Sequence, residues 1–186
     1  MLTLLLSAAL SAGPGLADGH NAPAARAAKP ASKALHAIPV VQPDGSSGSL
    51  LDAAATTPLA VVVIKHLGCP VCTAELGRLA AQWNAVRRAQ GTVVALSHAP
   101  APQNRAFMQA HSLPFPVLRA RAPVFKALDF WLPQRGYPHP GVLFFDRCGQ
   151  LAGRWRGRRP GEVQTPVILE ALQRLAARPS HCQPSS

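Results

Sequence analysis

The sequence predicts an α/β domain built on a mixed β-sheet with helices on both faces. Three observations carry this: short β-branched apolar runs, amphipathic stretches between them, and a turn-centred pair of apolar runs near the end. Leu59 to Ile64 is an uninterrupted apolar run and reads as a strand buried on both faces. From Cys72 to Ala89, the residues Leu76, Leu79, Trp83 and Val86 recur at helical spacing, which marks an amphipathic helix. GTVVALS, Gly91 to Ser97, is a second buried strand. PQNRAFMQAHSL then reads as a helix, FPVL as a short extended piece and APVFKALDF as another helix. GVLFFDRCGQLAGRW carries a turn signal, Asp146 to Gly149, between two apolar stretches and reads as a hairpin. Thr165 and Pro166 open the last helix as N-cap and first helical residue, with Ile168, Leu172 and Leu175 on one face. The order is β-α-β-α-β-α-β-β-α.

A chain of 186 residues with 48% hydrophobic residues is one domain with a real core, plus extensions. Residues 1–17 read as a signal peptide: LTLLLSAAL is too short to span a bilayer, which takes ~20 residues, and small residues follow it. No Lys or Arg precedes this run, so an uncleaved anchor, and with it membrane contact, is the other reading. Residues 18–48, rich in Ala and Pro, read as a linker, residues 49–178 as the domain and residues 179–186 as a tail. The expected location is periplasmic or secreted, where disulfides persist. The formal charge of +11 comes from 19 Lys+Arg against 8 Asp+Glu. Its densest cluster is RWRGRR, Arg154 to Arg159, but no nucleic-acid-binding module accompanies it, so nucleic acid is not an expected partner.

The chemistry concentrates in VVVIKHLGCPVCTAEL, where a strand passes through Cys69-x-x-Cys72 directly into a helix. A cysteine at a helix N-terminus meets free N–H groups and the positive end of the macrodipole, which favour the thiolate. A second cysteine one turn further in can attack a mixed disulfide formed at the first. A redox dithiol, a peroxide-reactive cysteine, part of a metal site and a structural disulfide all begin from such a pair.

GCPVCTAEL after VVVI resembles the active-site segment of the thioredoxin-like superfamily. The branch it most resembles is the redoxin group, alkyl hydroperoxide reductase/thiol-specific antioxidant proteins, which include the peroxiredoxins. HPGVLFFDRCG, His139 to Gly149, is similar to the family segment in which a cis-proline opens a strand. LPFPVLRARAPVFKALDF is similar to the peroxiredoxin stretch after the third strand. The resemblance implies a thioredoxin-like fold over roughly Leu50 to Ala177 and redox chemistry without a cofactor. It implies a protein disulfide or dithiol, or a peroxide, as substrate, and a thiol electron donor or acceptor.

Two assignments follow from the resemblance. In the thioredoxin-like alignment Cys69 is the nucleophile, Cys72 resolves, and the protein is an exported thiol–disulfide oxidoreductase. In the peroxiredoxin alignment Cys72 attacks peroxide, Cys69 replaces a hydroxyl residue of the motif, and Arg119 or Arg121 supplies the activating cation. Pro140 falls at the family's cis-proline, and His139 before it is expected to face the dithiol. Glu75 either tunes the site or is a solvated first-turn acid, and Lys65 and His66 are either cations that favour a thiolate or solvated loop residues. Cys148 and Cys182 are candidates for a structural disulfide. A copper- or zinc-delivery protein using Cys69, Cys72 and His139 is the non-enzyme alternative, although no resident metal is expected.

Overall fold

The structure is a computed structural model, and it describes residues 38–54, 57–157 and 164–178. The signal segment, residues 18–37 of the expected linker, Cys182 and the tail lie outside the described residues. Three parallel strands form the centre: β3 (Leu59–Val63), β4 (Thr92–Ser97) and β5 (Val117–Arg119). On the far side of β3, β8 (Gly141–Phe145) pairs antiparallel and continues through the Asp146–Gly149 turn into β9 (Leu151–Arg156). On the far side of β5 lie β1 (Pro39–Val41) and β2 (Ser47–Ser49), which gives the order β2-β1-β5-β4-β3-β8-β9. The expected linker boundary at Gly48 is therefore corrected: β1 and β2 belong to the sheet because β1 pairs with β5.

Strand alternation sorts the core into two layers. Ala60, Val62, Ile64, Val93, Ala95, Val117, Val142 and Phe144 point to one face, with Leu76, Leu79, Val86, Ile168 and Leu172 of the helices packed on them. Those helices are α2 (Pro70–Ala81), α3 (Trp83–Arg88) and α6 (Thr165–Ala176). Phe107 and Met108 of α4 (Ala101–Ala110) join the same layer. Leu59, Val61, Val63, Val94, Leu96, Leu118, Leu143 and Phe145 point to the other face, against Ile38, Leu50 and Phe125 of α5 (Ala122–Ala127). A short α1 (Leu51–Ala54) precedes β3.

The expected Cys72–Ala89 helix begins earlier, at Pro70, and is interrupted at Gln82. An element absent from the sequence reading, the hairpin β6 (Trp131–Leu132) and β7 (Tyr137–Pro138), follows α5. No helix among the described residues is long and apolar enough to cross a membrane.

Candidate active site

β3 ends at Val63, and the loop Ile64 to Gly68 turns the chain into α2. Cys69 is the N-cap of α2, in extended backbone, with Pro70 in the first turn. The Cys69 sulfur accepts the Cys72 N–H at 3.3 Å, so it occupies the place a Ser or Asp takes at other helix starts. The Cys69 carbonyl accepts from both the backbone N–H and the hydroxyl of Thr73, at 3.0 and 3.1 Å, and this fixes the first turn.

Cys69 and Cys72 are both free and buried. Their sulfurs lie 2.7 Å apart, with the Cys72 S–H donating. The two sulfurs are thus close enough to close into a disulfide. The two sulfurs have different surroundings. Burial pushes the Cys72 thiol up to about 12, its hydrogen bond to Cys69 pushes the same way, and the Lys65 backbone N–H and ammonium oppose both. The Cys69 sulfur receives two donors at the positive end of a 12-residue helix. Of the two sulfurs, Cys69 is therefore the hydrogen-bond acceptor and Cys72 the one that burial keeps protonated.

Lys65 and His66 flank the dithiol and share one neighbour. The Lys65 ammonium lies 4.7 Å from the centre of the Tyr137 ring, and the exposed His66 ring meets the same ring edge-on at 5.9 Å. Tyr137 was not legible as a site residue, because its strand holds two residues and nothing in its spacing marks it. Glu75 is neither a solvated acid nor aimed at the sulfurs. It is 4% exposed, it accepts the Thr165 hydroxyl at 2.6 Å, and it pairs with Arg78. Thr165 is accordingly not the N-cap of α6; Gln164 holds that position, and the Thr165 hydroxyl ties α6 to α2.

Arg119 ends β5 beside Ser97 of β4 and shares the face of Val117, which is the dithiol face. Among the described residues its buried Nε has no hydrogen-bond partner. Two strand spacings, about 10 Å, separate its backbone from β3. Arg121 is exposed and caps α5 on the opposite face, so the structure does not bring it to the dithiol.

One expectation from the resemblance is corrected. The described residues contain no cis peptide bond, so Pro140 follows His139 in trans, and its carbonyl accepts the Gly157 N–H at 3.0 Å. The His139 backbone N–H bonds the Phe130 carbonyl at 2.6 Å, and its charged neighbours are Arg156 and Asp129. Desolvation and Arg156 hold its imidazole below the usual value, while Asp129 partly offsets them. Cys69, Cys72 and His139 thus form no metal set, and no group of three His, Cys, Asp or Glu among the described residues is placed to hold a metal. Cys148 is disulfide-bonded, and its expected partner, Cys182, lies outside the described residues.

Comparison with known proteins agrees with this architecture. Peroxidoxin BcpB from Mycobacterium tuberculosis superposes with a TM-score of 0.66 at 14% identity, covering 74% of this chain and 92% of that one. The bacterioferritin comigratory protein of Xanthomonas campestris, described for its alkyl peroxide reduction activity, gives 0.65 at 16% identity, covering 76% and 94%. Reduced Prx3 from Vibrio vulnificus, solved in complex with H2O2, gives 0.64 at 15% identity, covering 75% and 96%. No curated protein matches the chain. The fold is thioredoxin-like, and residues 30–154 match the AhpC/TSA family model. The chain belongs to the AhpC/TSA family and is a thiol-based redox enzyme.

Proposed function

We propose that the protein is a thiol–disulfide oxidoreductase in which Cys69 is the nucleophile and Cys72 the resolving thiol. One observation carries this reading: the Cys69 sulfur sits at the N-cap of α2, hydrogen-bonded by Cys72, and 2.7 Å from a Cys72 thiol that burial keeps protonated. The Cys69 thiolate attacks one sulfur of a substrate disulfide. That S–S bond breaks, a mixed disulfide forms, and the departing thiolate takes up a proton. Cys72 then loses its proton and attacks the Cys69 sulfur. The second substrate sulfur leaves as a thiol, and the enzyme holds a Cys69–Cys72 disulfide, so two electrons have passed to the substrate. A thiol donor reverses this step on the enzyme. Insulin reduction by wild type and by Cys69→Ser tests the assignment, and full activity in the variant overturns it.

Family membership favours a second reading, hydroperoxide reduction. A thiolate attacks the terminal peroxide oxygen, the O–O bond breaks, and the alcohol or water leaves with a proton. The resulting sulfenic acid is attacked by the other thiol, releasing water and forming the same disulfide. If Cys72 is the attacking residue, substoichiometric peroxide oxidises it in a Cys69→Ser variant, as read by peptide mass. An unoxidised Cys72 counts against that assignment.

We also propose export. The short apolar N-terminal run and the disulfide at Cys148 support it, since such bonds persist in oxidising compartments. Cell fractionation that finds the protein with cytosolic markers removes this proposal.

A further inference from the structure

The dithiol stands at one end of α2, and a group of arginines stands at the other. Twelve residues at ~1.5 Å each put about 18 Å between the two ends of that helix. α3 follows at the far end and closes on Arg87 and Arg88. The Arg87 carbonyl accepts the Gln90 N–H at 3.0 Å, and the Gln90 side chain accepts from the Arg147 guanidinium at 3.1 Å. Arg147 lies in the β8–β9 turn, which faces the same end because Phe145 pairs with Leu59, the first residue of β3. A Cβ at Gly91 would lie 2.9 Å from the Leu172 side chain. The C-terminal half of α6, with Arg174 and then Arg178 just beyond it, therefore packs beside the end of α3. We propose that this end of the molecule docks on an anionic phospholipid surface through Arg87, Arg88, Arg147 and Arg178, and so holds the dithiol turned away from that surface.

Charge complementarity carries the choice of occupant. The acids on these elements are already engaged. The Asp146 carboxylate accepts the backbone N–H groups of Cys148 and Gln150, and Glu170 pairs with Arg174 at 2.9 Å. No ion pair among the described residues uses Arg87, Arg88, Arg147 or Arg178. Several arginines elsewhere are held by the fold: Arg78 by Glu75, Arg154 and Arg156 by Asp129, and Arg105 by the Pro43 carbonyl.

A protein partner would need apolar or aromatic anchors at the centre of its footprint. The exposed large apolar residues Leu51, Val71 and Val167 lie on α1 and on the first turns of α2 and α6, outside the arginine group. Cations spread over three elements without such an anchor suit a broad, diffuse anion, and a lipid surface attracts each nearby arginine separately. Read as a signal or as an anchor, the apolar run LTLLLSAAL brings the chain to a bilayer in either case.

The test is co-sedimentation of the full-length reduced protein with phosphatidylcholine vesicles and with vesicles containing about one third phosphatidylglycerol, at ~50 and ~500 mM salt. An apolar N-terminal segment inserts into both vesicle types, so the arginine contribution is the difference between them. Wild type should favour the anionic vesicles by at least about tenfold at low salt and lose that preference at high salt. Arg87→Gln, Arg88→Gln and Arg178→Gln combined should abolish the preference. Arg121→Gln, Lys126→Gln and Arg135→Gln combined remove the same charge from the start and end of α5 and from the β6–β7 hairpin, and should keep it within about threefold. All six side chains are exposed, so both variants should melt with wild type. On anionic vesicles, Cys69 alkylation by iodoacetamide should run at its solution rate, because about 18 Å exceeds the Debye length of about 8–10 Å. Equal binding of wild type to both vesicle types overturns the proposal. So does an equal loss in the two triple variants, which would mean net charge without a defined face. Slowed alkylation on vesicles overturns the orientation. Binding to soluble polyglutamate that the first triple variant loses, with no preference for anionic vesicles, overturns the lipid surface in favour of an acidic polypeptide.

Discussion

Replacing Thr165 by valine removes one hydroxyl from the junction between α6 and the dithiol helix. Thr165 is 1% exposed, and its hydroxyl donates to Glu75 Oε1 at 2.6 Å, while Arg78 occupies the other carboxylate oxygen. Valine preserves the volume, so the cost is that of a hydrogen bond to a buried charged group, about 2 kcal/mol. In a domain of this size that corresponds to a loss of roughly 4–10 °C in Tm. Urea unfolding should show a lower midpoint with an unchanged slope, which separates a change in stability from a change in the unfolded ensemble. Glu75→Met in the Thr165→Val background should recover much of the loss, since removing both partners leaves no buried charge short of a donor. A Thr165→Val midpoint within about 0.5 kcal/mol of wild type would refute the argument, because it would mean that Arg78 alone satisfies the carboxylate.

Three further outcomes follow from the geometry. A Cβ at Gly141 would run into the Trp155 carbonyl oxygen and lie 2.6 Å from the Phe130 ring, so Gly141→Ala should cost at least about 2 kcal/mol in urea unfolding. The folded protein keeps Cys72 protonated up to about 12, whereas an unfolded thiol ionises near ~8.5. The unfolded chain therefore releases its proton first, and the reduced protein should lose stability relative to Cys72→Ala as pH rises from ~9 toward 12, a loss measurable by alkaline unfolding. His139 is held below its usual value, so its contribution is present above ~6.5 and lost as pH falls toward the lower folded value; His139→Gln should flatten that acid limb in a pH–Tm series.

The central strands were legible because they are buried on both faces and need no partner to declare themselves: LAVVV and TVVALS are near-continuous apolar runs rich in valine. The β8–β9 hairpin announced itself through Asp146, whose carboxylate accepts the N–H groups of Cys148 and Gln150, and through Gly149 at φ 70°. PVV and SGS carry no such signal. They are strands because β5 offers an edge to β1, a tertiary cause that a local pattern does not contain. The same division runs through the site. Cys69 and Cys72 were legible from their place between a strand and a helix, which the N-cap geometry reproduces. Tyr137, and the paired state of Glu75, depend on residues far apart in sequence. The trans bond at Pro140 likewise depends on the fold around it, which the residues of the HPG segment do not announce.

The order of attack proposed for the two sulfurs is argued from what each would meet as an anion. Charge on Cys69 receives the Cys72 N–H, the Cys72 S–H and the helix dipole at once. Charge on Cys72 gains the Lys65 N–H and ammonium, but it must overcome burial, and it forfeits the hydrogen bond that Cys72 donates to Cys69. The asymmetry predicts which variant traps a substrate. In Cys72→Ser, Cys69 still attacks and nothing resolves the product, so a stable mixed disulfide with a model disulfide should accumulate to near stoichiometry. In Cys69→Ser, the remaining thiol is protonated well into the alkaline range, and trapping at neutral pH should fall by at least about tenfold. Mass spectrometry of the intact adducts measures both. Equal trapping by the two variants would mean that the environments distinguished by the α2 N-terminus do not control reactivity, and that the peroxide assignment of Cys72 has the stronger claim.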